Sequence, residues 1–431
     1  MDNYLARLSA LDPKISIGIV GIGSIGRGMT LQAQITPGID CVAIADIIVE
    51  RAIEMADYLH RDYEVVGSLD AMHEAIRRGR LAVCEDGELI SRYEGIDVFV
   101  EATNSVLAGG EYALTAIAHG QHVVMMNYEA DLMFGPYLME KAEEEGLVYT
   151  VCDGDQPTVL RHIIDELEFM GFQLVMAGNI KGYLDRYVDP TSIIPEADKR
   201  DLDYRMCTSY TDGTKLCVEM AVLANGLGLR AATPGMYGPR IDDIYQVFDA
   251  FDFDSLWNGG GAVVDYVLGA RPKGGVFAIG YTDDAYQRHT LDWFPPEMGP
   301  GPFYLFYRPY HLGHFESMRS IAAAALDGRA VLKPDFGFRT NVYAYAKRDL
   351  QAGESLDGMG GYLCYGKIEN LSDNEIHPGI PICMAEDVVL KVDVPKDERI
   401  LLEQLDYDPD RREFELHRRA MAVGSHDEVP V

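Results

Sequence analysis

Long apolar runs are missing from this sequence of 431 residues. Nothing in it approaches the roughly 18 consecutive apolar residues of a membrane span, so no membrane-embedded part is expected. Basic residues are scarce beside acidic ones: 37 Lys and Arg stand against 69 Asp and Glu, a formal charge of −32. A surface this negative repels phosphate backbones and anionic lipid, which argues against nucleic acid and membrane surfaces as partners. A small anionic substrate stays open, because a local pocket can invert the global field. The seven cysteines (Cys41, Cys84, Cys152, Cys207, Cys217, Cys364 and Cys383) are odd in number, scattered and without a CxxC. Neither a disulfide framework nor a zinc knuckle is indicated, and the reading is a reduced, cytoplasmic protein. The opening MDNYLARLSALDPK carries Asp2, Arg7 and Asp12 and shows no signal-peptide core. Internal repeats and low-complexity segments are not evident either.

What is present is an alternation. Ile15 to Val20 is a short apolar run suited to a buried parallel strand, and GRGMTLQAQI after it reads as a helix. CVAIADI, IDVFVEAT, HGQHVVMMN and LVYTVCDGDQ read as further strands. VERAIEMADYLH, SLDAMHEAIRRG and GPYLMEKAEEEG read as helices, the second capped by Ser68 and stopped by Gly79, the third starting at Pro136. Strand and helix in turn predict an α/β, doubly wound parallel sheet over residues 1–150. Residues 151–333 have a different, α+β texture: helix QPTVLRHIIDELEFMG, strand FQLVMAGNIKG, a polar loop YLDRYVDPTSIIPEADKRDLDYRM, and helix TDGTKLCVEMAVLANGLG. The helix at 313–327 is expected to return to the first part. Residues 334–431 read as a small β-rich domain with a charged, frayed tail.

Gly21-Ile22-Gly23-Ser24-Ile25-Gly26 is GxGxxG, placed after a buried strand and opening a helix. Asp46 lies 20 residues beyond Gly26, at the end of the next strand. This is the full dinucleotide context of a Rossmann-type fold. Gly21 permits the tight turn, Gly23 admits the pyrophosphate, and Gly26 lets helix and strand approach. Ser24 and Ile25 lie between them on the same loop. A carboxylate at Asp46 accepts from a ribose 2′-OH and repels a 2′-phosphate, which favours NAD over NADP; Arg51 nearby softens that preference. Glu101, Ala102, Thr103 and Asn104, ending a strand at the sheet's C-terminal edge, are expected to line the nicotinamide side, and Asn127 is added to the cofactor-binding set.

Asp153 and Asp155 flank a glycine directly after a strand, and Asp212, Lys215 and Glu219 share one helix face. Asp153, Asp155 and Glu219 form a candidate site for a divalent cation, Mg or Mn, that would polarise a carbonyl. Lys215 is the candidate for a substrate oxygen or phosphate, with Asp212 beside it; as a solvated face, the same spacing would be a surface salt bridge. Lys181 and Lys199 are candidates for an anion pocket. His311, His314 and Glu316 in HLGHFE have spacing for a metal pair or acid/base work, against the plainer reading of a packing histidine.

These residues carry a resemblance. GIVGIGSIG, the strand ending at Glu101, and HGQHVVMMNYEADLMFGPYLMEKAEEEG resemble the homoserine dehydrogenase type of Rossmann domain. That family's Ala-Asn-Lys falls at Met126-Asn127-Tyr128, where tyrosine replaces one of its two catalytic lysines; the other matches Lys215, with Glu196 near its substrate-binding acid. Over nearly the whole chain, DGDQP, AGNIKGYLDRY, EADKRDLDYRM, YTDGTKLCVEMA, YRPYHLGHFE and AKRDLQAGESL resemble the deoxyxylulose-phosphate reductoisomerase-like proteins. That resemblance implies a Rossmann domain, a catalytic domain and a C-terminal SAF domain in a homo-oligomer. It implies a nicotinamide-dependent reductoisomerase of a small deoxyketose phosphate, with NADPH as the cofactor of members on the isoprenoid route. The metal set of the classical reductoisomerase is echoed by Asp153, Asp155, Lys215 and Glu219. The alternatives are an NAD(P)-dependent dehydrogenase of a small hydroxy acid or polyol, and a non-catalytic dinucleotide sensor.

Overall fold

The computed structural model describes residues 3–200, 202–258, 261–293, 298–374 and 377–423. The chain divides into two compact units. Among the described residues, the first holds 3–155, 312–333 and 415–423, and the second holds those of 156–311 and 334–414. The β-rich C-terminal stretch, read from the sequence as a third part, thus shares a unit with 156–311 up to residue 414. No described helix is long and apolar enough to cross a membrane.

The first unit is built on seven strands: β1 (Ile15–Val20), β2 (Ile39–Ala45), β3 (Tyr63–Val65), β4 (Leu81–Cys84), β5 (Val98–Glu101), β6 (His122–Met125) and β7 (Tyr149–Val151). Their order is β3-β4-β2-β1-β5-β6-β7, with every pairing parallel. Chain order reverses at β1, which pairs β2 on one side and β5 on the other. At such a switch point the loops leaving adjacent strands diverge and open a crevice. Ile17, Ile19, Ile44, Val83, Val98 and Val100 fill the core between sheet and helices. Helix Met318–Asp327 adds Met318, Ile321 and Ala322 to that core, so this segment does return to the first unit.

Two elements here differ from expectation. Helix Tyr128–Glu144 starts eight residues before Pro136, because the Asn127 side chain accepts from Ala130 N and caps it. The proline costs one internal hydrogen bond, which burial of the helix offsets. The tail was read as frayed, yet Arg412–Ala422 is a helix; residues 424–431 lie outside the described residues.

The second unit centres on β8 (Gln173–Lys181), β9 (Arg230–Ala231), β10 (Val263–Leu268), β11 (Val276–Tyr281) and β12 (Phe303–Arg308), in the order β12-β11-β8-β10-β9. β8, β9 and β10 run parallel, while β11 and β12 are antiparallel additions. Helix Thr214–Leu227 is buried along nearly its whole length, a central pillar rather than an amphipathic surface helix. The polar stretch before it, read as a loop, contains helices Ile194–Arg200 and Tyr204–Asp212, the second capped by Asp203. Asp201, in the same stretch, lies outside the described residues. The β-rich stretch forms β13 (Thr340–Ala346) paired with β15 (Cys364–Asn370), and β14 (Ser355–Asp357), β16 (Glu386–Leu390) and β17 (Leu405–Asp406) in the order β14-β16-β17.

Candidate functional site

Chemistry-bearing residues of the first unit gather where β1, β5 and β6 end. Gly21 leaves β1 with φ +93°, which only glycine adopts without strain. A side chain there would lie 2.6 Å from the backbone of Ala102 and Thr103, so the turns after β1 and β5 touch through this position. A side chain on Gly26 would lie 1.8 Å from the Gly21 carbonyl oxygen. Gly23 is the N-cap of helix Ser24–Ile35, has no side-chain cap, and has open space where a side chain would point. The three glycines thus give a tight turn at Gly21, an open helix start at Gly23 and a close approach of helix to strand at Gly26. An open, uncapped start of a helix of 12 residues suits a pyrophosphate. Ser24 is exposed and Ile25 half-buried at that start.

Asp46 follows β2 and is buried. Its Oδ2 accepts from Ile22 N at 2.8 Å and its Oδ1 from Ile48 N at 2.9 Å. The carboxylate therefore ties the glycine loop to the turn after β2. Each oxygen keeps a second lone pair for a ribose hydroxyl. Arg51 Nη1 lies 3.8 Å from Oδ1, close enough to moderate the charge. The loop, the helix start and Asp46 together fit a dinucleotide.

Beyond β5, Ala102 and Thr103 are half-buried and Asn104 is exposed. Glu101, expected with them on the nicotinamide side, is completely buried. Its Oε1 accepts from Thr103 N at 3.0 Å, while its Oε2 has no hydrogen-bond partner. Burial pushes its carboxyl up to about 7, against the nearby Thr103 and Asn127 donors, which lower it. Asn127 donates to Ser105 O at 3.0 Å and caps the following helix, so its side chain joins the ends of β5 and β6. That use makes Asn127 a support for the cofactor loops. Tyr128, where the homoserine dehydrogenase pattern has lysine, is buried and donates to Cys152 O at 2.9 Å. A structural tyrosine ties helix to strand at that place.

After β7, Asp153 is completely buried: its Oδ1 accepts from Gly154 N at 2.8 Å and Arg319 Nη1 lies 3.6 Å from its Oδ2. A side chain on Gly154 would collide with the Gly313 carbonyl at 2.6 Å, so the DGD turn packs against the HLGHFE turn. His314 fills the space left by Gly28; a side chain on that glycine would meet the imidazole at 2.3 Å. Burial holds the His314 pKa below its ordinary value, which agrees with a packing histidine. Asp153 and Asp155 belong to the first unit and Glu219 to the second. Among the described residues neither unit by itself gathers three His, Cys, Asp or Glu side chains to hold a metal ion.

In the second unit, Lys215 and Glu219 are both buried on helix Thr214–Leu227. They are one turn apart on the same face, so the surface salt-bridge reading does not hold. Asp212 is also buried, but its Oδ2 lies 3.0 Å from Lys347 Nζ and its Oδ1 accepts from Thr214 N at 2.9 Å. That commits Asp212 to holding the helix start. Lys347 was missed; the signal was one cation ending the apolar run VYAYAK. Lys181 is half-buried at the end of β8, two residues beyond Asn179, which donates to the Gln156 side chain. Lys199 and Glu196 differ most from expectation. They form an exposed pair at 3.7 Å on helix Ile194–Arg200, with Arg200 2.5 Å from Glu196, the pattern of a solvated helix face.

Residues 154–317 match the family model described as oxidoreductase DRL, catalytic domain. No curated protein matches the sequence. Among solved structures, a probable dehydrogenase from Thermotoga maritima is 12% identical, with a TM-score of 0.42 over 73% of this chain and 90% of that one. The Lactobacillus casei myo-inositol dehydrogenase bound to NAD(H) and myo-inositol is 15% identical, with a TM-score of 0.37 over 62% and 72%. A DOX-P reductoisomerase bound to NADPH, fosmidomycin and magnesium is 16% identical, with a TM-score of 0.35 over 48% and 58%. With TM-scores this low, the strand order and glycine-loop geometry of the chain itself identify its dinucleotide-binding fold. Segment 154–317 is thus similar to an oxidoreductase catalytic domain, in one chain with a sheet built to bind a dinucleotide.

Proposed function

We propose that the chain is a nicotinamide-dependent oxidoreductase, and that it acts as a reductoisomerase on a small deoxyketose phosphate of the 1-deoxy-D-xylulose 5-phosphate type. One observation carries the reading. A glycine loop and Asp46 shaped for a dinucleotide stand in the same chain as a segment, 154–317, similar to an oxidoreductase catalytic domain.

When bound, a nicotinamide supplies or accepts a hydride. The backbone from Gly21 to Gly26 and the start of helix Ser24–Ile35 hold the pyrophosphate. Asp46 accepts from the adenosine ribose and disfavours a 2′-phosphate, so NAD is the preferred cofactor. Ala102 and Thr103, fixed against Gly21 and held by Glu101, orient the nicotinamide side. Lys215, desolvated within its unit, holds a substrate oxyanion as its charge develops. No step is assigned to a divalent cation, because among the described residues neither unit by itself gathers a ligand set. A homo-oligomer is proposed from the sequence resemblance.

A second reading is a metal-independent dehydrogenase of a small hydroxy acid or polyol. Asp46 favours it, being better suited to NAD. The test is to titrate the protein with NADH and NADPH by nicotinamide fluorescence, then assay 1-deoxy-D-xylulose 5-phosphate with and without chelator. Tight NADH and turnover of the ketose phosphate are expected. Turnover of polyols alone, unaffected by chelator, transfers the assignment to the second reading. Binding of neither nucleotide overturns both. Lys215→Ala is expected to lose about 2 kcal/mol or more of transition-state stabilisation in kcat/KM.

A further inference from the structure

The C-terminal part of the second unit carries a group of charges that the redox reading does not use. Alternation along β15 puts Tyr365, Lys367 and Glu369 on one face, and the register with β13 sets Tyr343 opposite Lys367 and Tyr345 opposite Tyr365. Lys367 Nζ lies 4.1 Å from the centre of the Tyr345 ring and 5.7 Å from that of Tyr365. Arg186 Cζ lies 5.5 Å from the centre of the same Tyr365 ring. Two cations therefore share one aromatic floor, and both are half-buried.

Among the described residues neither cation forms an ion pair, and Arg186 Nη1 is a buried donor with no acceptor. The carboxylates nearby are used elsewhere. Glu369 is bound by Arg399 at 2.6 Å and by the Tyr345 hydroxyl at 2.6 Å. Asp397 accepts from the hydroxyls of Tyr365 and Tyr187, both at 3.0 Å. Lys396 Nζ stands 3.6 Å from the centre of the Tyr187 ring. Arg186, Lys367, Lys396 and Arg399 thus gather around these tyrosines and carboxylates in a chain of formal charge −32. Burial and the charge of Arg186 hold the Lys367 pKa below its ordinary value. Like charges held together partly out of water, one with a buried unmet donor, favour a counter-charge.

We infer that Arg186 and Lys367 form a binding site for a phosphate dianion, either inorganic phosphate or the phosphate of a monoester. The planar guanidinium can donate two parallel hydrogen bonds to phosphate oxygens, and the ammonium supplies the second charge. The tyrosine faces hold both cations in place while the ligand is absent. This inference stands apart from the redox reading, because it is tested by binding without turnover.

The experiment is calorimetric titration of the full chain with inorganic phosphate. Saturable binding at one site per chain is expected. Arg186→Met and Lys367→Met should each weaken it by about tenfold or more, Arg186→Lys should fall between, and Arg77→Met, in the first unit, should leave it unchanged. Should Lys367→Met fail to fold by circular dichroism, Arg186→Met and Arg186→Lys decide alone. Competition then identifies the source: displacement by 1-deoxy-D-xylulose 5-phosphate makes the site a substrate subsite, and persistence makes it a separate phosphate site, with the dianion bound in either case. Wild-type protein that does not saturate with phosphate, or variants that bind it as tightly as wild type, would overturn the inference.

Discussion

Lys347 Nζ lies 3.0 Å from Asp212 Oδ2, with both side chains buried in the second unit. Lys347 also donates to the carbonyls of Val188 at 2.7 Å and Gly361 at 2.8 Å. One ammonium thus joins the start of helix Thr214–Leu227 to two loops. Burial raises the Asp212 pKa, and the Lys347 charge opposes that rise. Removing one member leaves the other charge buried and uncompensated, which costs roughly 3–5 kcal/mol. Lys347→Met should lower the urea midpoint accordingly, and adding Asp212→Asn should recover part of the loss. A single variant with an unchanged midpoint would show the pair to be energetically idle.

Gly26→Ala puts a methyl group where the Gly21 carbonyl already stands, 1.8 Å away. The loop must open to accept it, and the pyrophosphate cradle opens too. NADH affinity by fluorescence should fall at least about tenfold, or roughly 1.4 kcal/mol. Wild-type affinity in the variant would mean that the cofactor does not use this loop.

Asp46 supports the loop through Ile22 N and Ile48 N, and in the function proposed above its charge disfavours a 2′-phosphate. Asp46→Ser should therefore narrow the preference for NADH over NADPH while weakening NADH itself. Competition between the two nucleotides reads the ratio directly. A ratio that does not move would put selectivity elsewhere, with Arg51 the next residue to change.

Glu101 and Asp131 give the first unit a stability that depends on pH. Burial pushes both carboxyls up to about 7, from ordinary values of 4.5 and 3.8. In the fold they keep protons that the unfolded chain has released. Their contribution is fully present below about pH 4 and is lost as pH rises through 7. The urea midpoint should decline over that window. Glu101→Gln should remove a part of the decline worth on the order of 2–3 kcal/mol. An identical pH profile in the variant would show that folding does not shift the Glu101 carboxyl.

Much of the first unit could be read from the sequence because its signals are local. A glycine triplet after an apolar strand, an acid at the next strand end, and caps such as Ser68 and Gly79 each act within a few residues. The short strands β3 and β4 were missed, having too few residues to set a period. Pro136 misled because a proline signals a helix start only where no better cap precedes it, and Asn127 does. Lys199 and Glu196 misled because a solvated ion-paired row and a substrate-binding row have the same composition.

By itself the sequence determined the alternating α/β order, the position of the glycine loop and the acid at the end of the next strand. Each of these depends on backbone conformation and side-chain type at neighbouring positions. Only the tertiary structure decided that Asp212 belongs to Lys347, 135 residues away, that Glu101 lacks a partner for one oxygen, and that Arg186 and Lys367 share the ring of Tyr365. Burial turns a charge from a solvated ornament into an energetic commitment, and burial is a property of the packed chain, not of any segment.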